Sequence, residues 1–83
     1  MNRSDKESIR KLLLNFLSDK FDIPPEQASR EVPLRELGLD SMLVLDVIME
    51  AEDRLGTKLD DLTMPREATL ADVVTMIQRN LDG

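Results

Sequence analysis

Apolar residues recur along this chain in three helical patterns, separated by two stretches that have no sustained period. Ile9, Leu12, Leu13, Phe16 and Leu17 fall at offsets 0, 3, 4, 7 and 8, one face of an α-helix, and predict a first helix from about Asp5 to Lys20. Ser4, followed three residues later by Glu7, supplies a capping box at its start. Phe21-Asp22-Ile23-Pro24-Pro25 should end it, because proline lacks a backbone donor and pushes the residue before it out of the helical region. From Pro24 to Leu39 the pattern lapses and Pro33 intervenes, which predicts a long surface crossing. Ile23, Val32, Leu34, Leu37 and Leu39 can pin that crossing to the core, with a short helical turn at Gln27-Ala28-Ser29.

A second helix is predicted over Ser41–Leu55, opened by an Asp-Ser pair and closed by Gly56 at the position where helices commonly turn left-handed. It carries two apolar sets. Val44, Val47, Ile48, Ala51 and Leu55 are assigned to the core, while Met42, Leu45 and Met49 form a neighbouring stripe bordered by Asp46, Glu50, Glu52 and Asp53. Either this helix is buried over a wide arc, or the methionine-containing stripe stays partly open as an adaptable contact surface. Residues 57–68 hold only short apolar spacings, with Leu59, Leu62 and Met64 turned inward, and Pro65 limits any helix there to one or two turns. Thr69 and Asp72 then mark the start of a last helix, whose Leu70, Val73, Val74, Ile77 and Leu81 repeat the core spacing to about Leu81. The expected fold is all-α: a small antiparallel-type bundle of three main helices plus a short third helix, with a long loop between helices 1 and 2.

Composition narrows the chemistry. At 83 residues the chain makes one domain, 1–83, near the small end of what folds without disulfides or metal. It has neither cysteine nor histidine, so a thiolate metal site, a cysteine nucleophile and the commonest general base are all missing from its own inventory. No apolar run approaches the roughly 20 residues of a membrane span, and the N-terminus reads as the lead into a charged helix, not as a signal peptide. A cytoplasmic, monomeric protein is expected, and the initial methionine favours a free-standing chain.

The net charge of −6 is concentrated. Between Glu36 and Leu62 lie eight acids (Glu36, Asp40, Asp46, Glu50, Glu52, Asp53, Asp60, Asp61) against Arg54 and Lys58, while the remainder balances nine acids with nine bases. Such a field disfavours nucleic acid and steers association with basic protein surfaces, although a solvated helix face that keeps the domain soluble carries the same signature. The acidic pairs Glu52-Asp53 and Asp60-Asp61 do not match the spacing of a calcium loop, and no metal site is expected.

Ser41 stands where loop becomes helix, and free N–H groups of a first helical turn favour a phosphate attached there. The plain alternative is a helix cap, the ordinary role of an Asp-Ser pair. The run Leu37-Gly38-Leu39-Asp40-Ser41-Met42 resembles, position by position, the modification site of acyl carrier proteins, and the helix pattern extends the resemblance over nearly the whole chain. It implies that Ser41 carries 4′-phosphopantetheine, donated from coenzyme A by a separate phosphopantetheinyl transferase that supplies base and magnesium. The chain itself would have no catalytic residue: Ser41 has no histidine or nearby lysine to deprotonate it, and no base lies between Arg35 and Arg54. The resemblance further implies docking of acyl synthases, transferases or ligases with basic surfaces onto the second helix, through Asp40, Met42, Leu45, Asp46, Met49, Glu52 and Asp53. Leu43 departs from the family, many of whose members are acidic there. Val44, Val47, Ile48 and Ile77 could shelter an acyl chain between helices, or simply be core. Two other readings stay open: a peptidyl or aminoacyl carrier on the same scaffold, and a helical adaptor with no prosthetic group.

Overall fold

The first helix, α1, spans Lys6–Phe21 in the computed structural model, which describes residues 6–82; the cap expected at Ser4 and the start at Asp5 lie outside the described residues. Ile9, Leu13, Phe16 and Leu17 are buried as their spacing predicts, and Leu12 packs against them at the margin. The stop is not made by the prolines. Asp22 adopts a left-handed φ of 58°, tolerated by aspartate better than by most residues, and the amide of Ile23 reaches back to the Leu17 carbonyl at 3.2 Å. Pro24 and Pro25 act next, opening a one-turn helix, α2, over Pro25–Ala28, a position where proline's missing N–H costs nothing.

The crossing from α1 to the next long helix, in which α2 lies, is pinned as expected by Ile23, Leu34 and Leu39, all buried, with Leu37 packed at the core's edge. Val32 is only half-buried and does not join the core. A 3-10 turn over Leu34–Leu37 ends at Gly38, whose φ of 89° needs glycine. The helix α3 covers Ser41–Leu55, and Gly56 closes it at φ 66°. The helix α4 covers Leu70–Asp82 and opens on a reciprocal cap: the Thr69 amide donates to Asp72 Oδ2 at 2.9 Å, and the Asp72 amide to Thr69 Oγ1 at 3.3 Å. Among the described residues the fold is all-helical, with α1 packed against α4, α3 and α2 around one core.

The expected short third helix does not form. Residues 58–65 carry no regular structure, and the only short α-helix among the described residues is α2, in the first crossing. Besides Pro65, the reason is that α4 offers this strap better partners than its own backbone would. Asn80 Oδ1 accepts the amides of Asp60 at 3.1 Å and Asp61 at 2.9 Å, while Asn80 Nδ2 donates to the Asp61 carbonyl at 2.8 Å. Arg79 donates to the Thr63 carbonyl at 2.9 Å and pairs with the Asp61 carboxylate at 3.1 Å. At the other end, Glu52 Oε2 accepts the Leu59 amide at 2.8 Å, which ties the strap back to α3. Leu59 is buried and Met64 partly so, but Leu62, expected inside, is exposed. Met76, which the core spacing of the last helix omitted, is 1% exposed. It lies one turn before Asn80, on the face of α4 that the strap covers.

Candidate functional site

Two competing roles for Ser41 separate once the start of α3 is resolved. Gly38 turns the chain, Leu39 is buried and fixes its path, and Asp40 sits just before the helix with extended backbone (φ −80°, ψ −178°). Asp40 is the cap: its Oδ1 accepts the Leu43 amide at 3.0 Å, and its carbonyl accepts the Val44 amide at 2.9 Å. Ser41 is therefore the first residue inside the helix, exposed, and its hydroxyl makes no hydrogen bond among the described residues. The amides of Ser41 and Met42 likewise have no partner there, leaving two free donors at the positive end of the helix dipole.

A concavity of about 320 Å³ opens beside Ser41, lined by Pro33, Arg35, Leu39, Asp40, Ser41, Arg66, Glu67 and Ala68. Two contacts hold the residues before α4 there: the Leu34 amide donates to the Ala68 carbonyl at 2.9 Å, and Arg35 pairs with Glu67 at 2.7 Å. The fold thus brings Arg66 beside a serine 25 positions away in sequence. No local pattern marks Arg66, and the sequence reading, which looked for bases near Ser41 along the chain, missed it. A partnerless hydroxyl, two free amides and an adjoining open space suit a phosphodiester arm attached through Ser41 Oγ.

The apolar stripe on α3 is open: Met42 is 75% exposed, Leu45 50% and Met49 62%. Asp46 and Asp53 are exposed among them. Asp46, Met49 and Glu50 face Phe16, Lys20 and Phe21 of α1 across a groove of about 440 Å³. Phe16 and Phe21 meet edge to face at 5.7 Å, and the Arg54 guanidinium lies 5.7 Å from the Phe16 ring while bonded to Glu50. Glu52 is half-buried, with a carboxylate already engaged by Leu59, so it holds the strap whatever else it does. Of the residues considered for acyl shelter, Val47, Ile48 and Ile77 are buried in the common core and Val44 packs at its margin. No group of acidic side chains that could hold a metal ion occurs among the described residues, and no helix there is long and apolar enough to cross a membrane.

An all-helical bundle thus presents an unencumbered serine at the head of a helix rich in acids. Residues 11–77 match the family described as the phosphopantetheine attachment site, and the chain belongs to that family, whose group is 4′-phosphopantetheine. The chain is similar to the acyl carrier protein of Thermotoga maritima, with 29% identity over 79 residues, 94% of this chain and 98% of that protein. It is 37% identical over 76 residues to the acyl carrier protein of Phytoplasma australiense, covering 90% and 95% of the two chains. A non-reducing polyketide synthase of Macrophomina phaseolina, dpmpA, shares 32% identity over 69 residues, 83% of this chain but 3% of that protein. No solved structure gives a significant match.

Proposed function

We propose that this protein is an acyl carrier in which residues 1–83 form one carrier domain and Ser41 is the attachment residue. The observation that carries the reading is the division of labour at the start of α3, where Asp40 takes the capping role and leaves the Ser41 hydroxyl exposed and unbonded in a family defined by phosphopantetheine attachment. A phosphopantetheinyl transferase modifies it. The Ser41 Oγ–P bond forms as the phosphoanhydride of coenzyme A breaks, the adenosine bisphosphate departs, and the serine proton passes to a base of the transferase. When bound, the group supplies a terminal thiol that holds an acyl chain as a thioester. The protein contributes the tether and the recognition surface, and partner enzymes carry out the bond making.

Docking falls to the exposed face of α3. Asp40, Met42, Leu45, Asp46, Met49, Glu52 and Asp53 present acids around an apolar stripe, complementary to a synthase, transferase or ligase with a basic rim and an apolar centre. Glu52 contributes to the field while anchoring the strap. An acyl chain finds shelter by parting Val44, Val47, Ile48 and Ile77, and the carrier acts as a cytoplasmic monomer. The similarity to acyl carrier proteins and to a polyketide synthase supports acyl cargo over a peptidyl or aminoacyl one.

Incubation of the apo protein with coenzyme A and a promiscuous transferase is expected to add one phosphopantetheine by intact mass. Ser41→Ala should abolish the addition while keeping the helical circular dichroism spectrum. A wild type that stays unmodified beside a loaded control carrier would overturn the reading, as would continued modification of Ser41→Ala.

A further inference from the structure

A phosphodiester on Ser41 places a negative charge next to the Asp40 carboxylate, inside the segment that holds the protein's net charge of −6. Two free amides of the first turn offset part of that repulsion. The remaining question is which cation faces the phosphate, and the concavity beside Ser41 is lined by two, Arg35 and Arg66. Arg35 is committed to Glu67 at 2.7 Å, which also satisfies the second acid of the concavity. Arg66 makes no ion pair or hydrogen bond among the described residues, although the two residues that follow it are held against Leu34 and Arg35 by the Leu34–Ala68 backbone bond and the Arg35–Glu67 pair.

We propose that Arg66 binds the phosphodiester of the prosthetic arm and seats the arm's proximal end in the concavity between the start of α3 and residues 65–68. The proposal rests on Ser41 being the attachment residue. A guanidinium suits the task because its planar donors engage two phosphate oxygens at once and its charge is present at any physiological pH. The site is exposed, so the contact biases the arm's orientation without locking it, leaving the thiol end free to travel. Arg66 lines the concavity together with Asp40 and Ser41, whereas Met42, Leu45 and Met49 do not line it, so an arm held by Arg66 would start away from that stripe.

Holo wild type, Arg66→Gln, Arg66→Lys and Arg35→Gln are made by enzymatic loading, and intact mass is read first. Equal addition in all four, with Ser41→Ala unmodified, establishes the attachment; failure at this step refutes the reading of Ser41 and with it the proposal. The second measurement is phosphorus-31 relaxation of the phosphodiester, with the Arg66 side-chain Nε–Hε resonance compared between apo and holo protein. In the wild type the phosphate should relax with the protein and the Arg66 resonance should shift on loading. In Arg66→Gln the population of ordered phosphate should fall by about two- to fivefold, the range a surface ion pair supports. Arg66→Lys should recover part of it, and Arg35→Gln should change it less. Attachment intact at Ser41, but phosphorus relaxation identical in wild type and Arg66→Gln and an unmoved Arg66 resonance, would overturn the proposal alone.

Discussion

Two of the long helices, α3 and α4, use the same kinds of residue to opposite ends, and two methionines show it most directly. Met76 on α4 is 1% exposed, under the strap, whereas Met49 on α3 is 62% exposed beside Asp46. In α4 the large apolar residues Leu70, Val73, Val74, Met76 and Ile77 are buried. In α3 only Val47, Ile48, Ala51 and Leu55 are, while Met42, Leu45 and Met49 face solvent. One helix therefore commits its large apolar residues to the core, and the other divides them between core and solvent. A flexible thioether suits both settings, filling irregular gaps inside and adapting to varied partners outside.

Truncation is the sharpest way to break this contrast. Met76→Ala should destabilise the protein by about 2–5 kcal/mol in denaturant unfolding, a large part of what a domain this small possesses. Met49→Ala should change stability by less than about 0.5 kcal/mol. It should instead slow acyl transfer to partner enzymes, as should Asp46→Lys combined with Asp53→Lys, whose effect should shrink as salt rises. Equal stability losses at Met76 and Met49 would erase the distinction between the helices. The Asp46 and Asp53 pair is the cleaner electrostatic probe, because reversing Glu52 would also release the Leu59 amide.

Smaller effects test why Met76 is inside at all. Asn80→Ala removes the side chain that accepts the Asp60 and Asp61 amides and donates to the Asp61 carbonyl, and should cost about 1 kcal/mol given its partial exposure. Amide hydrogen exchange should quicken at Asp60 and Asp61, with the α3 amides unchanged. The smallest effect is acidic. Hydrogen bonds from Thr63, and then the Arg79 guanidinium, hold the Asp61 carboxyl below its ordinary value. A carboxyl lowered in the folded state stabilises above its unfolded value and loses that contribution as pH falls through the folded one. The strap should therefore loosen below about pH 4, the ordinary carboxylate range, and Asp61→Asn should remove that part of the acid dependence. Protection at residues 61–63, taken relative to the unfolded-chain exchange rate at each pH, that stays constant as the wild type is acidified would exclude this latch.

Much of the architecture was legible in the chain. Sets of five apolar residues at helical spacing located α1, α3 and α4, because a helix that must bury one face repeats its apolar positions every three or four residues whatever the fold around it. The Thr69 and Asp72 cap, the stop at Gly56 and the place of Ser41 at the start of α3 were readable for the same reason, since each depends on neighbours within a turn. The sequence could not say which of Asp40 and Ser41 would cap α3. Both residue types serve, and the backbone path set by buried Leu39 and left-handed Gly38 gave the role to Asp40.

What the sequence alone determined was local: helix identity, the core-facing stripe, and the serine at the head of the acidic helix. Tertiary structure decided the rest. It kept residues 58–65 irregular by offering them Asn80 and Arg79, buried Met76 beneath them, turned Glu52 inward to Leu59, and set Arg66 beside Ser41. Each of these joins residues at least seven positions apart, beyond the reach of helical periodicity, so their energies depend on which surfaces the folded bundle brings within hydrogen-bonding or ion-pairing distance.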